Sequence, residues 1–233
     1  MTQRIGIFGG TFDPVHYGHI ASAKILVTQL SLDTLYFMPC QQHPFHKHPG
    51  ASPAQRANML ALAVADEAQL QVDERELRRD GMSYTVDSLQ EIRREFGNDA
   101  VIVFILGTDA FASLHQWERW QSILDFANVA VIERAGQLTT AQIIEAELKA
   151  LLAQSVTTVK ASHGELVQLV LEPYIISSTM LRSALAATYQ VDSKVDSKVD
   201  SQVDEAQIKV INEFIPASVV QYIEAQQLYQ SNH

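Results

Sequence analysis

Apolar and polar positions along the 233-residue chain alternate between two spacings, one of strands and one of helices. Short runs of β-branched and aliphatic residues predict strands at Arg4–Phe8, Thr34–Met38, Gln69–Asp73, Val101–Leu106, Val129–Ile132 and Leu166–Leu171. Between them the spacing becomes helical. Ala21–Leu30 places Ile25, Leu26 and Leu30 on one side. Ser52-Pro53 forms a start signal ahead of Met59, Leu60, Leu62 and Val64. Thr85 is read as the cap of a helix carrying Val86, Leu89, Ile92 and Phe96 and closed by Gly97. Thr140–Leu152 and Ser178–Ala187 are further helices, and Glu205–Phe214 and Ala217–Leu228 form a helical tail broken at Pro216. The run at 101–106 has no polar face, as in a strand covered on both sides of a parallel sheet. Alternation of this kind predicts an α/β fold, a doubly wound, Rossmann-like parallel sheet flanked by helices, with a small C-terminal helical extension.

One stretch fits neither spacing. Val191–Asp204 reads VDSKVDSKVDSQVD, a four-residue repeat rich in Asp and Ser. Low hydrophobicity favours a disordered, low-complexity insertion before the C-terminal helices, within a single domain of 1–233. Four residues are too few for a solenoid unit. No motif residue lies in it, so its deletion is expected to leave activity largely intact.

Composition narrows the class. An apolar fraction of 47% with 19% charged residues suffices for a buried core. No apolar run is long enough to span a bilayer, and the start of the chain leaves no room for a signal peptide before the first strand. A single cysteine, Cys40, excludes an internal disulfide framework and suits a cytoplasmic location. The net charge of −10 argues against a nucleic-acid or membrane partner. From 191 to 205, five acids and two lysines carry −3 of it. Self-association is not readable from the sequence, so a homo-oligomer stays open.

In an open parallel sheet, ligands bind beyond the carboxyl ends of the strands. The segments there are Gly9-Gly-Thr-Phe-Asp-Pro-Val-His-Tyr-Gly-His19, Pro39–Pro49 with His43, His46, Lys47 and His48, Gly107-Thr-Asp109, Glu133-Arg134-Ala-Gly136, and Ile176-Ser-Ser-Thr-Met-Leu-Arg182. Glycines, hydroxyls and cations converge on one edge, which suits a phosphate-bearing ligand. The first segment has neither the spacing of a dinucleotide fingerprint nor that of a Walker loop. His16 and His19 are three residues apart on one face of a starting helix. Metal ligation or capping are the plain alternatives, and a zinc site lacks both the glutamate of H-E-x-x-H and a cysteine partner.

These residues resemble the nucleotidyltransferase superfamily that carries the HxGH motif. Gly9–Pro14 with His16-Tyr-Gly-His19 looks like its first signature, and Ile176–Arg182 looks like its second. Within it the chain is most similar to the bacterial nicotinate-nucleotide adenylyltransferases, through His46-Lys47, Ser83-Tyr84-Thr85, and Gly107-Thr-Asp109 followed by Trp117. Val220, Tyr222, Ile223 and Leu228-Tyr229 resemble the family's C-terminal helix. Two departures stand out: the loop reads His43-Pro-Phe-His46-Lys47, with one proline fewer than usual, and the repeat has no counterpart.

The resemblance implies adenylyl transfer from ATP to nicotinate mononucleotide in NAD biosynthesis, with His16, His19, Lys47 and Arg182 as catalytic groups. ATP would also meet Gly9, Gly10, Thr11, Phe12, Gly107, Asp109, Ser177, Ser178 and Thr179. Nicotinate mononucleotide would meet His46, Lys47, Tyr84, Thr85, Trp117 and Arg134. Mg²⁺ is expected on the ATP phosphates, with no protein metal ligands. Two rival readings remain: an HxGH enzyme with nicotinamide mononucleotide or phosphopantetheine as acceptor, and a non-catalytic nucleotide sensor on the same fold.

Overall fold

The computed structural model describes residues 2–41, 50–79, 82–134, 146–172, 174–191 and 200–230. Six strands form one parallel sheet: β1 (Arg4–Gly10), β2 (Thr34–Pro39), β3 (Leu70–Val72), β4 (Val101–Gly107), β5 (Asn128–Arg134) and β6 (Leu166–Leu171), in the order β3-β2-β1-β4-β5-β6. The order reverses between β1 and β4, where Ile5 pairs with Ile102 and Phe8 with Ile105. This reversal is the topological switch point, and the crevice beyond its carboxyl end is where such sheets take ligands. β4 is buried from Val101 to Leu106, as its unbroken apolar run predicts.

Nine helices are present among the described residues: α1 (Tyr17–Gln29), α2 (Pro53–Val64), α3 (Thr85–Phe96), α4 (Thr108–Ala112), α5 (Ile123–Phe126), α6 (Ala146–Leu152), α7 (Ser178–Val191), α8 (Asp200–Phe214) and α9 (Ala217–Ala225). The start of α2 is as expected. Ser52 accepts from Gln55 N, and the Gln55 side chain accepts from Ser52 N at 2.8 Å, a complete capping box with Pro53 at the first helical position. The cap of α3 lies one residue earlier than expected. Tyr84 is the N-cap without a side-chain hydrogen bond, and Thr85 is already helical. The hydroxyl pattern alone does not fix this boundary. Residues 140–145 of the helix expected at Thr140–Leu152 lie outside the described residues.

The Val-Asp-Ser repeat also departs from its expectation of disorder at both described ends. Val191 closes α7, and Asp200–Asp204 open α8. A four-residue step turns a helix by only about 40° beyond a full turn, so valines at i and i+4 share a face. Residues 192–199 lie outside the described residues.

The chain, read above as one domain, divides into two compact units. One is built from Met1–Gly10, Ser22–Gln42 and Gln69–Pro173, and the other from Thr11–Ala21, His43–Ala68 and Tyr174–His233. The first unit holds the sheet and a core of Ile5, Ile7, Leu89, Ile92, Ile102, Phe104, Phe111 and Val129. In the second, α7 packs with α8, and α9 packs with α2 and α8. Asn58 Nδ2 donates to Tyr222 Oη at 3.0 Å across the α2–α9 contact. No helix among the described residues is long and apolar enough to cross a membrane.

Candidate active site

In the second unit, the segment from Thr11 to His19 is organised by its own main chain. His16 is the residue before α1, and its carbonyl accepts from His19 N at 2.9 Å and Ile20 N at 3.3 Å. His19, three positions on, accepts from His16 N through Nδ1 at 3.3 Å, which is half of a capping box made with an imidazole. The proton of a neutral ring then sits on Nε2, so His19 can donate from its outer edge. The two rings lie 3.8 Å apart, centroid to centroid, at 32°. Thus His19 serves both readings given above: it supports the helix start and presents an N–H beside His16. Gly18 is required by this arrangement, because a Cβ there would stand 2.9 Å from His16 Nδ1 and 3.2 Å from Tyr174 Cβ.

Phe12 has a buried ring. It is 3% exposed and meets His19 edge-on at 5.1 Å, with φ of 53°. The ring thus braces the His19 imidazole. Thr11 offers its carbonyl to Arg56 Nη1 at 2.7 Å, and Arg56 is fully buried.

The second signature behaves as a helix start. Ser177 Oγ accepts from Met180 N at 3.2 Å and caps α7. Ser178 Oγ donates to Pro14 O at 3.0 Å. Thr179 Oγ1 accepts from Arg182 Nη2 at 3.3 Å, while Arg182 Nη1 donates to Asp13 O at 2.6 Å. The second signature is therefore bound to the first through Asp13 and Pro14. Arg182 is no solvated helix charge; it is anchored at one end, with its side chain 35% exposed.

Asp13 was missed as a site residue, although it lies inside the quoted motif. It is 4% exposed. Its carboxylate accepts from Gly50 N at 2.8 Å, Ala51 N at 3.1 Å and Tyr229 Oη at 2.6 Å, with Arg182 Nη1 at 3.7 Å. Burial, and then the adjacent Asp13 charge, push the Tyr229 phenol well above its ordinary pKa, so it remains a donor. A small acid between Phe and Pro was the available signal. Its partners are too distant in sequence for spacing to show.

In the first unit, the residues at the strand ends have mixed roles. Gly9 has a packing reason, because a Cβ there would meet the Phe104 ring at 3.1 Å. Phe104 in turn meets Trp117 at 6.3 Å. Gly10 ends β1 opposite Pro39. Gly107 closes β4 opposite Ile132, and a Cβ there would meet open space. Asp109 is exposed in the first turn of α4, whose N-cap is Gly107, so capping does not explain it. Trp117 is half-buried, with Nε1 3.4 Å from Ser113 Oγ. Trp117 and Trp120 both pack against the core. Tyr84 is 37% exposed, and the neighbouring Asp87 pairs with Arg119. His46 and Lys47 lie outside the described residues, as does the side chain of Arg134.

Residues 7–184 match the cytidylyltransferase-like family. A protein of Cellvibrio japonicus named probable nicotinate-nucleotide adenylyltransferase is 50% identical over 136 residues, 58% of this chain and 64% of that protein. One of Chromobacterium violaceum with the same name is 40% identical over 234 residues, covering 99% of this chain and 100% of the relative. The chain belongs to the nicotinate-nucleotide adenylyltransferase family. In fold it is similar to a nicotinic acid mononucleotide adenylyltransferase of Plasmodium falciparum solved with NaAD, with a TM-score of 0.66 at 18% identity over 99% of this chain and 98% of that one. Family membership and fold agree with the resemblance drawn from the two signatures. The buried carboxylate joining those signatures is what the sequence did not disclose.

Proposed function

We propose that this chain transfers the adenylyl group of ATP to nicotinate mononucleotide, giving nicotinate adenine dinucleotide and pyrophosphate. The observation that carries this reading is the stacked His16–His19 pair at the start of α1, in the unit where Asp13 also holds Arg182. The full-length likeness to relatives named for this reaction supports it.

The attacking oxygen of the mononucleotide phosphate is already anionic. A bond from it to the α-phosphorus forms as the bond to the bridging oxygen of pyrophosphate breaks. No protein nucleophile or general base is needed, so catalysis reduces to alignment and to stabilisation of charge. His19 Nε2–H and His16 are assigned to the phosphates in the transition state, and Arg182 to the triphosphate. Ser177 and Thr179 stand at the start of α7, a favourable end for an anion. By resemblance, Lys47 is assigned a phosphate, and His46 and Arg134 the mononucleotide. Gly10, Gly107 and Asp109 are assigned the nucleoside part of ATP.

The nicotinate carboxylate is assigned to the N-terminal end of α3 at Tyr84 and Thr85, with Trp117 as stacking partner. Asp87 in that first turn already has Arg119 as counter-ion, so the helix end shows an incoming carboxylate no uncompensated acid. Mg²⁺ belongs to the proposal as companion of the ATP phosphates. Its ligands in this proposal are phosphate oxygens and water, since Mg²⁺ gives up its waters reluctantly. A cytoplasmic location belongs to the same proposal.

An acceptor panel tests it. Pyrophosphate release is expected with ATP and nicotinate mononucleotide together and with neither alone. Equal or faster release with nicotinamide mononucleotide or phosphopantetheine would overturn the acceptor. ATP binding with no turnover on any acceptor would leave the sensor reading.

A further inference from the structure

We propose that Tyr229, close to the C-terminus, is a positioning residue for the ATP-side cation: by donating to Asp13, its phenol keeps that carboxylate from drawing Arg182 away from the triphosphate. The inference rests on the assignment of Arg182 to ATP.

Asp13 offers about four acceptor positions on its two oxygens. Oδ2 faces Gly50 N at 2.8 Å and Arg182 Nη1 at 3.7 Å. Oδ1 takes Ala51 N at 3.1 Å and the phenol at 2.6 Å, the shortest of these contacts. Arg182 Nη1 makes its hydrogen bond to the main-chain oxygen of Asp13, not to the carboxylate. The guanidinium is thus held next to a buried anion without being consumed by it. The reason is that three neutral donors satisfy the anion first. Removing the strongest of them leaves Oδ1 with Ala51 N alone. Beside a carboxylate that is itself buried, the 3.7 Å separation would then tend to close into a tighter ion pair. Arg182 would face a competitor for every phosphate oxygen it meets.

Two further features tie the tyrosine to this task. Its backbone has φ of 62°, a left-handed conformation unusual for an aromatic residue, which persists where surroundings over-determine it. Its ring lies so close to Gly50 that a Cβ there would stand 2.9 Å from both Cδ1 and Cε1. The glycine thus accommodates the ring, and its N–H binds the same carboxylate. The raised pKa of the phenol keeps the donor protonated across the working pH range.

The test uses full-length wild type and Tyr229→Phe, which retains the ring and removes only the hydroxyl. Calorimetric titration with ATP, without acceptor, is expected to show roughly tenfold weaker binding in the variant, the scale of one hydrogen bond to a charged group. The KM for nicotinate mononucleotide and the Tm should stay near wild type, a split that a merely structural role would not produce. In an Asp13→Asn background, Tyr229→Phe should have little further effect on ATP affinity. Gly50→Ala, which displaces the ring, is expected to weaken ATP selectively as well. Unchanged ATP affinity in Tyr229→Phe overturns the proposal, as does a loss for both substrates in step with a lower Tm. Turnover of the wild type reports separately on the function: an inactive wild type whose ATP affinity still falls on Tyr229→Phe sinks the acceptor assignment and keeps this one.

Discussion

Two buried charges organise the two units, and they are satisfied in opposite ways. Arg93, in the last turn of α3, is 7% exposed in the sheet unit. Its guanidinium donates to the carbonyls of Phe126, Gly97, Asn98, Ala100 and Ser162, at distances from 2.7 to 3.3 Å. All five carbonyls precede strands, at the amino end of the sheet. Burial lowers the pKa of Arg93, yet every direction of the cation is filled by neutral acceptors. Asp13 in the other unit is an equally buried anion. Its carboxylate is filled by two main-chain N–H groups and a phenol, with Arg182 Nη1 at 3.7 Å and bonded to the Asp13 main-chain oxygen. A cation saturated by carbonyls serves stability alone. An anion that holds a partly exposed cation near itself leaves that cation something to do.

The comparison breaks first at Arg93. Replacing it with Met removes the cation and strands several buried carbonyls, so stability should fall by roughly 3 kcal/mol or more. Denaturant unfolding reads that loss, while kcat/KM per folded molecule should stay near wild type. His19→Ala should do the reverse. Turnover is expected to drop by roughly a hundredfold, the scale of losing one transition-state donor, with only a modest change in Tm. A near-normal rate would remove His19 from the mechanism.

Gly18→Ala sharpens the contrast, since alanine favours the helix by about 1 kcal/mol while its Cβ presses on His16. The clash offsets that gain, so the Tm should hold or fall slightly while kcat/KM falls by roughly tenfold, a loss on the smaller side for a misplaced donor. The smallest effect concerns Glu76, a buried carboxyl that accepts from Ser88 Oγ at 2.9 Å. Burial raises its pKa, partly offset by Ser88 and Arg79. For an acid with a raised folded pKa, wild type loses stability as pH rises from the ordinary glutamate range through the folded value. Glu76→Gln should therefore be nearly as stable as wild type in acid and gain on it toward neutral pH. Paired melts across pH read the difference, and parallel curves would show that Glu76 does not titrate in that window.

Six strands and most helices were legible because their apolar spacing has one physical solution: a run buried on both faces at β4, or a stripe of Val86, Leu89 and Ile92 on α3. The first signature was legible as a glycine turn leading into a helix with paired histidines. The polar framework was not. Arg93, Arg56 and Asp13 find partners on main chain far away, and spacing carries no trace of a carbonyl or N–H that folding brings near. The edge-on contact of Phe12 with His19 was likewise not legible from the motif. Of the repeat, only Val191 and Asp200–Asp204 are described, and both stretches are helical.

The contact between Tyr229 and Asp13 joins residues 216 positions apart in a chain of 233. A polypeptide made from its amino end presents Asp13 long before its phenol partner, which follows 216 residues later. The nascent chain can therefore form most of the sheet while the buried acid still lacks its third neutral donor. Completion of that pocket thus waits until residue 229 has been made, and a chain cut before it keeps its acid unsealed.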